Sequence, residues 1–162
     1  MSDTKYTAPH MLLHWVIAAL VVVQIALAGE MQATFAAKFE GIDVSLGWTS
    51  GAIFHAILGT SIGILMIWRL GLRQTTRIPP PPAAPGVIQA IARMTHLLFY
   101  ALLIGMPLFG AAAWFIPSAP LGAVHAGASK LLIALIALHL AGAAYHHFIA
   151  GDTSVLRRML TR

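Results

Sequence analysis

The chain has 162 residues, 59% of them hydrophobic and 9% charged, with a formal net charge of +5 and no cysteine. A soluble domain carries about 25% charged residues, so this balance excludes an ordinary water-soluble fold and points to a small integral membrane protein of one domain. Without thiols, disulfides, iron–sulfur clusters and thiolate catalysis are excluded too, and the eight histidines become the obvious ligands for any metal cofactor.

A short polar leader, Met1 to Pro9, precedes an apolar run from Met11 to Ala28 broken only by His14 and Gln24. That run is long enough to span a bilayer. A cleaved secretory signal is the rival reading, because Ala26-Leu27-Ala28 resembles a small-residue cleavage site. The single Lys5 and an apolar run beyond the usual h-region of about 7–15 residues argue against it. Glu30 to Gly47 reads as a polar connection with Glu30, Lys38, Glu40 and Asp43. Trp48 to Leu70 forms the second apolar helix, ended by Arg69, Arg73 and Arg77. Ile78 to Gly86 holds Pro79 to Pro82 and Pro85, a stiff polyproline loop that cannot be helical. Arg93 and His96 open a third helix to about Ile116, with Pro107 expected to kink it. Pro117 to Val124 reads as an uncharged turn, and a fourth helix runs from His125 to about Ile149. The expected fold is therefore all-α, a four-helix transmembrane bundle over residues 1–162, with helices at about 10–29, 48–70, 93–116 and 125–149.

Basic residues orient the bundle. Four spans put both termini on one side, and that side, with the loop between the second and third helices, holds Lys5, Arg69, Arg73, Arg77, Arg93, Arg157, Arg158 and Arg162 against Asp3 and Asp152. The opposite side holds Lys38 and Lys130 against Glu30, Glu40 and Asp43. Both termini are expected in the cytoplasm. The positive charge is thus accounted for by membrane topology and calls for no nucleic-acid partner. Trp15 and Trp68 fall near the inner interface, Trp48 and Trp114 near the outer one.

His125 and His139 are fourteen positions apart, close to four helical turns, so they share a face about 21 Å apart along the axis. Helix direction gives the other histidines a depth. His14, early on the outward-going first helix, lies near the inside; His55, early on the inward-going second helix, lies near the outside. Level alone pairs His14 with His139 and His55 with His125. Two facing imidazoles inside lipid suit a haem iron with both axial positions filled. With no free position for oxygen, electron transfer is favoured. Small neighbours would make room for a porphyrin: Gly51, Gly59 and Gly63 near His55, Ala126 to Ala128 after His125, and Ala141 to Ala143 after His139. The same glycines equally suit close helix packing. A histidine-lined ion path is a further rival, although the spans carry no carboxylate. At the inner end, His146 is the first candidate for a quinone pocket and His96 the second, since a quinone carbonyl needs a donor and its reduction needs protons. His10 and His147 read as interfacial polar residues. Lys130, five residues inside His125, snorkels to the outer interface or meets a porphyrin propionate.

These residues resemble the bacterial cytochrome b561 membrane proteins over nearly the whole chain. The motifs are His14-Trp15; Phe54-His55, Gly59 and Leu65 to Leu70; the proline loop Ile78 to Pro82; His96 to Tyr100 with Met106-Pro107 and Gly110; and His146-His147-Phe148 with Asp152-Thr153 and Leu156 to Met159. The resemblance implies two b-type haems, the cytoplasmic one on His14 and His139 and the periplasmic one on His55 and His125. It also implies ubiquinone near the inner haem and a home in the bacterial inner membrane. The family includes a superoxide:ubiquinone oxidoreductase. This chain departs from the family in the loop before His125, where relatives carry a long polar insertion, and in having Ala126 and Gly127 where Glu and Thr often follow. That leaves the outer donor-docking surface open.

The function expected from these readings is transfer of single electrons across the inner membrane, from a periplasmic-side donor to the quinone pool. The alternatives are superoxide oxidation coupled to ubiquinone reduction, an anchoring subunit that relays electrons for a dehydrogenase or hydrogenase, and a metal or proton transporter that would purify colourless.

Overall fold

The computed structural model describes residues 6–44, 50–80, 84–116, 118–151 and 154–160. Trp48, placed above at the outer interface, lies outside the described residues. So do Pro81, Pro82 and Pro117, the terminal residues Asp3, Lys5 and Arg162, and Asp152. No strand occurs among the described residues.

Helix α1, Ala8–Ala26, starts after an extended Thr7 and takes Pro9 in its first turn, where a missing N–H costs nothing. A turn at Leu27 leads directly into α2, Ala28–Phe39. This corrects the expected polar connection. Ala28, Ala33, Ala36 and Ala37 with Glu30, Met31, Gln32 and Lys38 are strong helix formers. Their polarity forbids a span, and twelve residues reach only about 18 Å. The helix stops at Glu40 in a Schellman turn: Gly41 takes φ 80°, its N–H reaches the Lys38 carbonyl at 3.1 Å, and that of Ile42 reaches the Ala37 carbonyl at 3.1 Å.

Helix α3, Ser50–Thr75, runs past Leu70, because Gly71 to Thr75 contains no breaker and the Thr75 and Thr76 hydroxyls bond back to the Gly71 and Leu72 carbonyls. It ends short of Pro79. Helix α4, Gly86–Phe115, begins immediately after Pro85 rather than near Arg93, and continues through Pro107. Helix α5, Ala119–Ala144, begins about two turns before His125. Ser118 caps it by accepting the Leu121 N–H at 3.5 Å, and Pro120 sits at a tolerated first-turn position. The link read as Pro117 to Val124 therefore shortens to a few residues. A π-helical turn, Tyr145–Ile149, continues α5, and α6, Ser154–Leu160, follows.

Among the described residues, four helices are long and apolar enough to cross a membrane: Ala8–Ala26, Gly51–Thr75, Gly86–Phe115 and Ala119–Ile149. α1 packs on α3, α3 on α4 and α4 on α5. The core is thin. Leu13, Ile17 and Val21 form an i, i+4 stripe on α1 that meets Ile62 and Met66 of α3, Leu103 of α4 and Leu132 of α5. Large apolar side chains such as Val22, Ile64, Leu108 and Leu140 point outward and are about two-thirds exposed. In water that surface would drive aggregation; in a bilayer it is solvated.

Three glycines of α3, Gly51, Gly59 and Gly63, lie against neighbouring helices. A Cβ on Gly63 would stand 3.2 Å from the Pro107 ring of α4, one on Gly59 2.9 Å from the Gln24 amide of α1, and one on Gly51 would overlap the Glu30 carboxylate of α2.

Candidate functional site

One unbroken helix, α5, carries both His125 and His139. At the inner level, the His14 and His139 rings stand 6.3 Å apart, centroid to centroid, with their planes inclined by 62°. At the outer level, His55 of α3 and His125 stand 6.3 Å apart, inclined by 68°. The two pairs, grouped above by depth alone, meet in space at the same separation.

That separation is itself a test of what they could hold. An imidazole–metal bond is about 2 Å long. Two such bonds on opposite sides of one ion, plus roughly 1 Å from each nitrogen to its ring centre, put the centroids roughly 6 Å apart. Each pair is therefore spaced as two nitrogen ligands on opposite sides of one metal ion would be. The His55 Nδ1 is also buried without a hydrogen-bond partner. Among the described residues there is no group of three or more His, Asp or Glu side chains suited to a bare metal ion.

Each site has its own surroundings. At the outer site, the His125 Nδ1 bonds the Met106 carbonyl at 3.1 Å, and the Gln24 amide of α1 donates to the His55 carbonyl at 2.9 Å. Helix α2 lies over this level. Its Glu30 accepts the Gly51 N–H at 3.1 Å, one turn before His55, placing a carboxylate at the positive end of α3. Phe35 lies against Gly122, less than one turn before His125. Lys38 donates to the Trp114 carbonyl at 2.8 Å and sits 3.9 Å from that ring's centre, fixing α2 to the end of α4. Lys130 is exposed on α5.

At the inner site, His96 and Phe99 of α4 pack edge-on against His139, with centroids at 5.4 and 5.6 Å. Arg69 donates to the His10 carbonyl at 2.6 Å and ties α3 to α1 one turn below His14. His10 is only 3% exposed; its Nδ1 pairs with Thr7 Oγ1 at 2.9 Å and its Nε2 is buried without a partner. His10 is thus covered by its neighbours, which the sequence did not indicate. Spacing could not reveal this, since burial at a helix start depends on which neighbour covers it. His146 is 9% exposed, with its Nδ1 unpartnered, on the π turn. His147 Nδ1 is likewise buried and unpartnered. The Trp15 indole N–H donates to the Met159 carbonyl at 2.8 Å, and Arg158 to the Pro80 carbonyl at 2.8 Å, so the chain's end folds back over this inner face.

Residues 5–162 match the family described as prokaryotic cytochrome b561. The chain belongs to that family. It is similar to cytochrome b562 of Cereibacter sphaeroides, 26% identical over 160 residues that cover 99% of this chain and 98% of the relative. It is also similar to a probable superoxide oxidase, CybB, of Yersinia pestis, 25% identical over 182 residues and 96% of each chain. As a prokaryotic cytochrome b561 with four apolar spans, it is a multi-pass protein of the inner membrane that serves electron transfer. A b-type cytochrome family implies haem b.

Proposed function

We propose that this cytochrome b561 carries two b haems and moves single electrons across the inner membrane, from a periplasmic-side donor to the quinone pool. The whole chain, 1–162, acts as one domain with both termini in the cytoplasm, the orientation favoured by its basic residues. The observation that carries this proposal is the equal 6.3 Å spacing of the His14–His139 and His55–His125 rings at two depths of one bundle.

Haem b, when bound, supplies a one-electron iron couple. His14 and His139 would hold the inner group and His55 and His125 the outer one. Each ring would bind as neutral imidazole, and with two such ligands on the iron no position would be left for oxygen. Between the two levels α5 provides about 21 Å of continuous helix. At the inner end, His146 and His96 are the residues for ubiquinone or another membrane quinone: a ring N–H donates to a quinone carbonyl, and the same nitrogen passes a proton as the quinone is reduced. His146 Nδ1 is buried without a partner, as is that of its neighbour His147; His96 reaches from the edge of His139 to the exposed face of α4.

The test is vectorial. In proteoliposomes, a membrane-impermeant reductant on the outer side should reduce quinone in the wild type, and His55→Ala should stop this. Quinone reduction that survives loss of the outer site would contradict electron transfer through both levels.

A second reading, superoxide as the donor, is favoured by the similarity to the probable superoxide oxidase of Yersinia pestis. Mixing superoxide with the oxidised protein in a stopped-flow instrument should then reduce it at near-diffusional rate. A slow reaction leaves a protein donor on the periplasmic side.

A further inference from the structure

We infer that the Met106–Gly110 turn of α4 is a positioning device for His125: it selects the ring nitrogen that faces the metal and sets the electron-donor strength of that ligand. This rests on the proposed outer haem site.

A backbone carbonyl can only accept. The 3.1 Å contact between His125 Nδ1 and the Met106 carbonyl therefore requires Nδ1 to carry the proton, which leaves the Nε2 lone pair for iron. The ring reaches that carbonyl because residue 110 is glycine. A Cβ on Gly110 would stand 3.1 Å from the His125 Cε1 and 3.2 Å from its Nδ1. Those contacts are with a ring and not with the end of a flexible chain, so an alanine requires the His125 ring to shift by a few tenths of an ångström.

The turn is held in place from its other side. Pro107, next in sequence to Met106, has no N–H to give, and its ring seats on Gly63 of α3 at 3.2 Å from where a Cβ would be. Gly63 lies two turns along α3 from His55. Three helices thus converge: α3 buttresses Pro107, α4 presents the Met106 carbonyl, and α5 brings His125 to it. Gly105, on the same helix, has no such role; a Cβ there meets only Phe109, at ordinary contact distance.

A hydrogen bond from the distal nitrogen raises the basicity of an imidazole ligand and stabilises the oxidised metal. Weakening that bond should raise the potential of the outer haem and leave the inner haem where it was. The experiment is a potentiometric titration of the haem-loaded protein, with electron paramagnetic resonance of the oxidised form and haem content per chain, for wild type, Gly110→Ala and Gly105→Ala. In Gly110→Ala we expect an upward shift of one potential and altered g-values for the same haem; Gly105→Ala should match the wild type. Loss of the outer haem alone in Gly110→Ala also supports the inference, since the displaced ring is the only ligand affected. Unchanged potentials and g-values in a di-haem Gly110→Ala protein would overturn it. So would equal changes at both haems, which mark a general packing defect. A wild type with one haem would overturn the two-site proposal itself, and haem content distinguishes that result from the others.

Discussion

The His14–His139 and His55–His125 pairs lie at two levels about 21 Å apart along α5, with different side chains in ring contact at each. Removing one imidazole should therefore be a local event. His55→Ala or His125→Ala is expected to lose one haem and keep the other, read as a halving of haem per chain with the helical circular dichroism intact. Loss of both together from a folded protein would show that the sites are not independent. His146 is tested differently. Replacing it by Ala should slow reoxidation of the reduced protein by quinone about five- to tenfold, the worth of one hydrogen bond of about 1 kcal/mol, without changing haem content. Unaltered quinone kinetics would move the pocket elsewhere, with His96 next to test. At this scale the paired histidines were legible in the sequence because helical spacing and span direction alone give depth. The burial of His10, the Gln24 bond to the His55 carbonyl and the Arg69 bond to the His10 carbonyl were not. Each depends on a neighbour brought in by tertiary packing, and no periodicity in the chain encodes which one.

Among the elements, the four spans stood out as long apolar runs, whereas α2 did not. It is short and polar, so hydropathy reads it as a connection, and only the alanine spacing and the Gly41 turn mark it as helix. Its anchors are side chain to backbone: Glu30 on the Gly51 N–H, and Lys38 on the Trp114 carbonyl. Lys38→Met should lower stability by about 1–2 kcal/mol, a charged hydrogen bond and a cation–π contact reduced for partial exposure. The thermal midpoint in detergent should fall while the inner haem is retained. An unchanged midpoint would mean that α2 is held by its apolar face alone. The glycines of α3 were ambiguous from sequence. Porphyrin clearance and helix packing ask for the same residue, and the contacts of Gly59 with Gln24 and Gly63 with Pro107 favour packing.

For the whole molecule, fold class and membrane class follow from composition and from four runs of spanning length, since backbone groups in lipid must be paired within a helix. The orientation of the bundle rests on basic residues at one end. Reporter fusions should accordingly place the N- and C-termini on the cytoplasmic side; a periplasmic reading at either end would invert the proposed donor and acceptor faces. The thin core also has a consequence. With few large side chains interlocked at its centre, the bundle should gain much of its rigidity from bound haem. Its thermal midpoint should fall markedly when haem supply is restricted during expression, as linkage between binding and folding requires.

On the proposed function, two layers of paired imidazoles each grip one iron porphyrin. A reduced-minus-oxidised spectrum of the purified protein, with haem quantified per chain, decides it. We expect b-type absorbance and two haems per chain. A folded four-helix protein that shows no b-type absorbance when haem is supplied, or that holds no more than one, would contradict it.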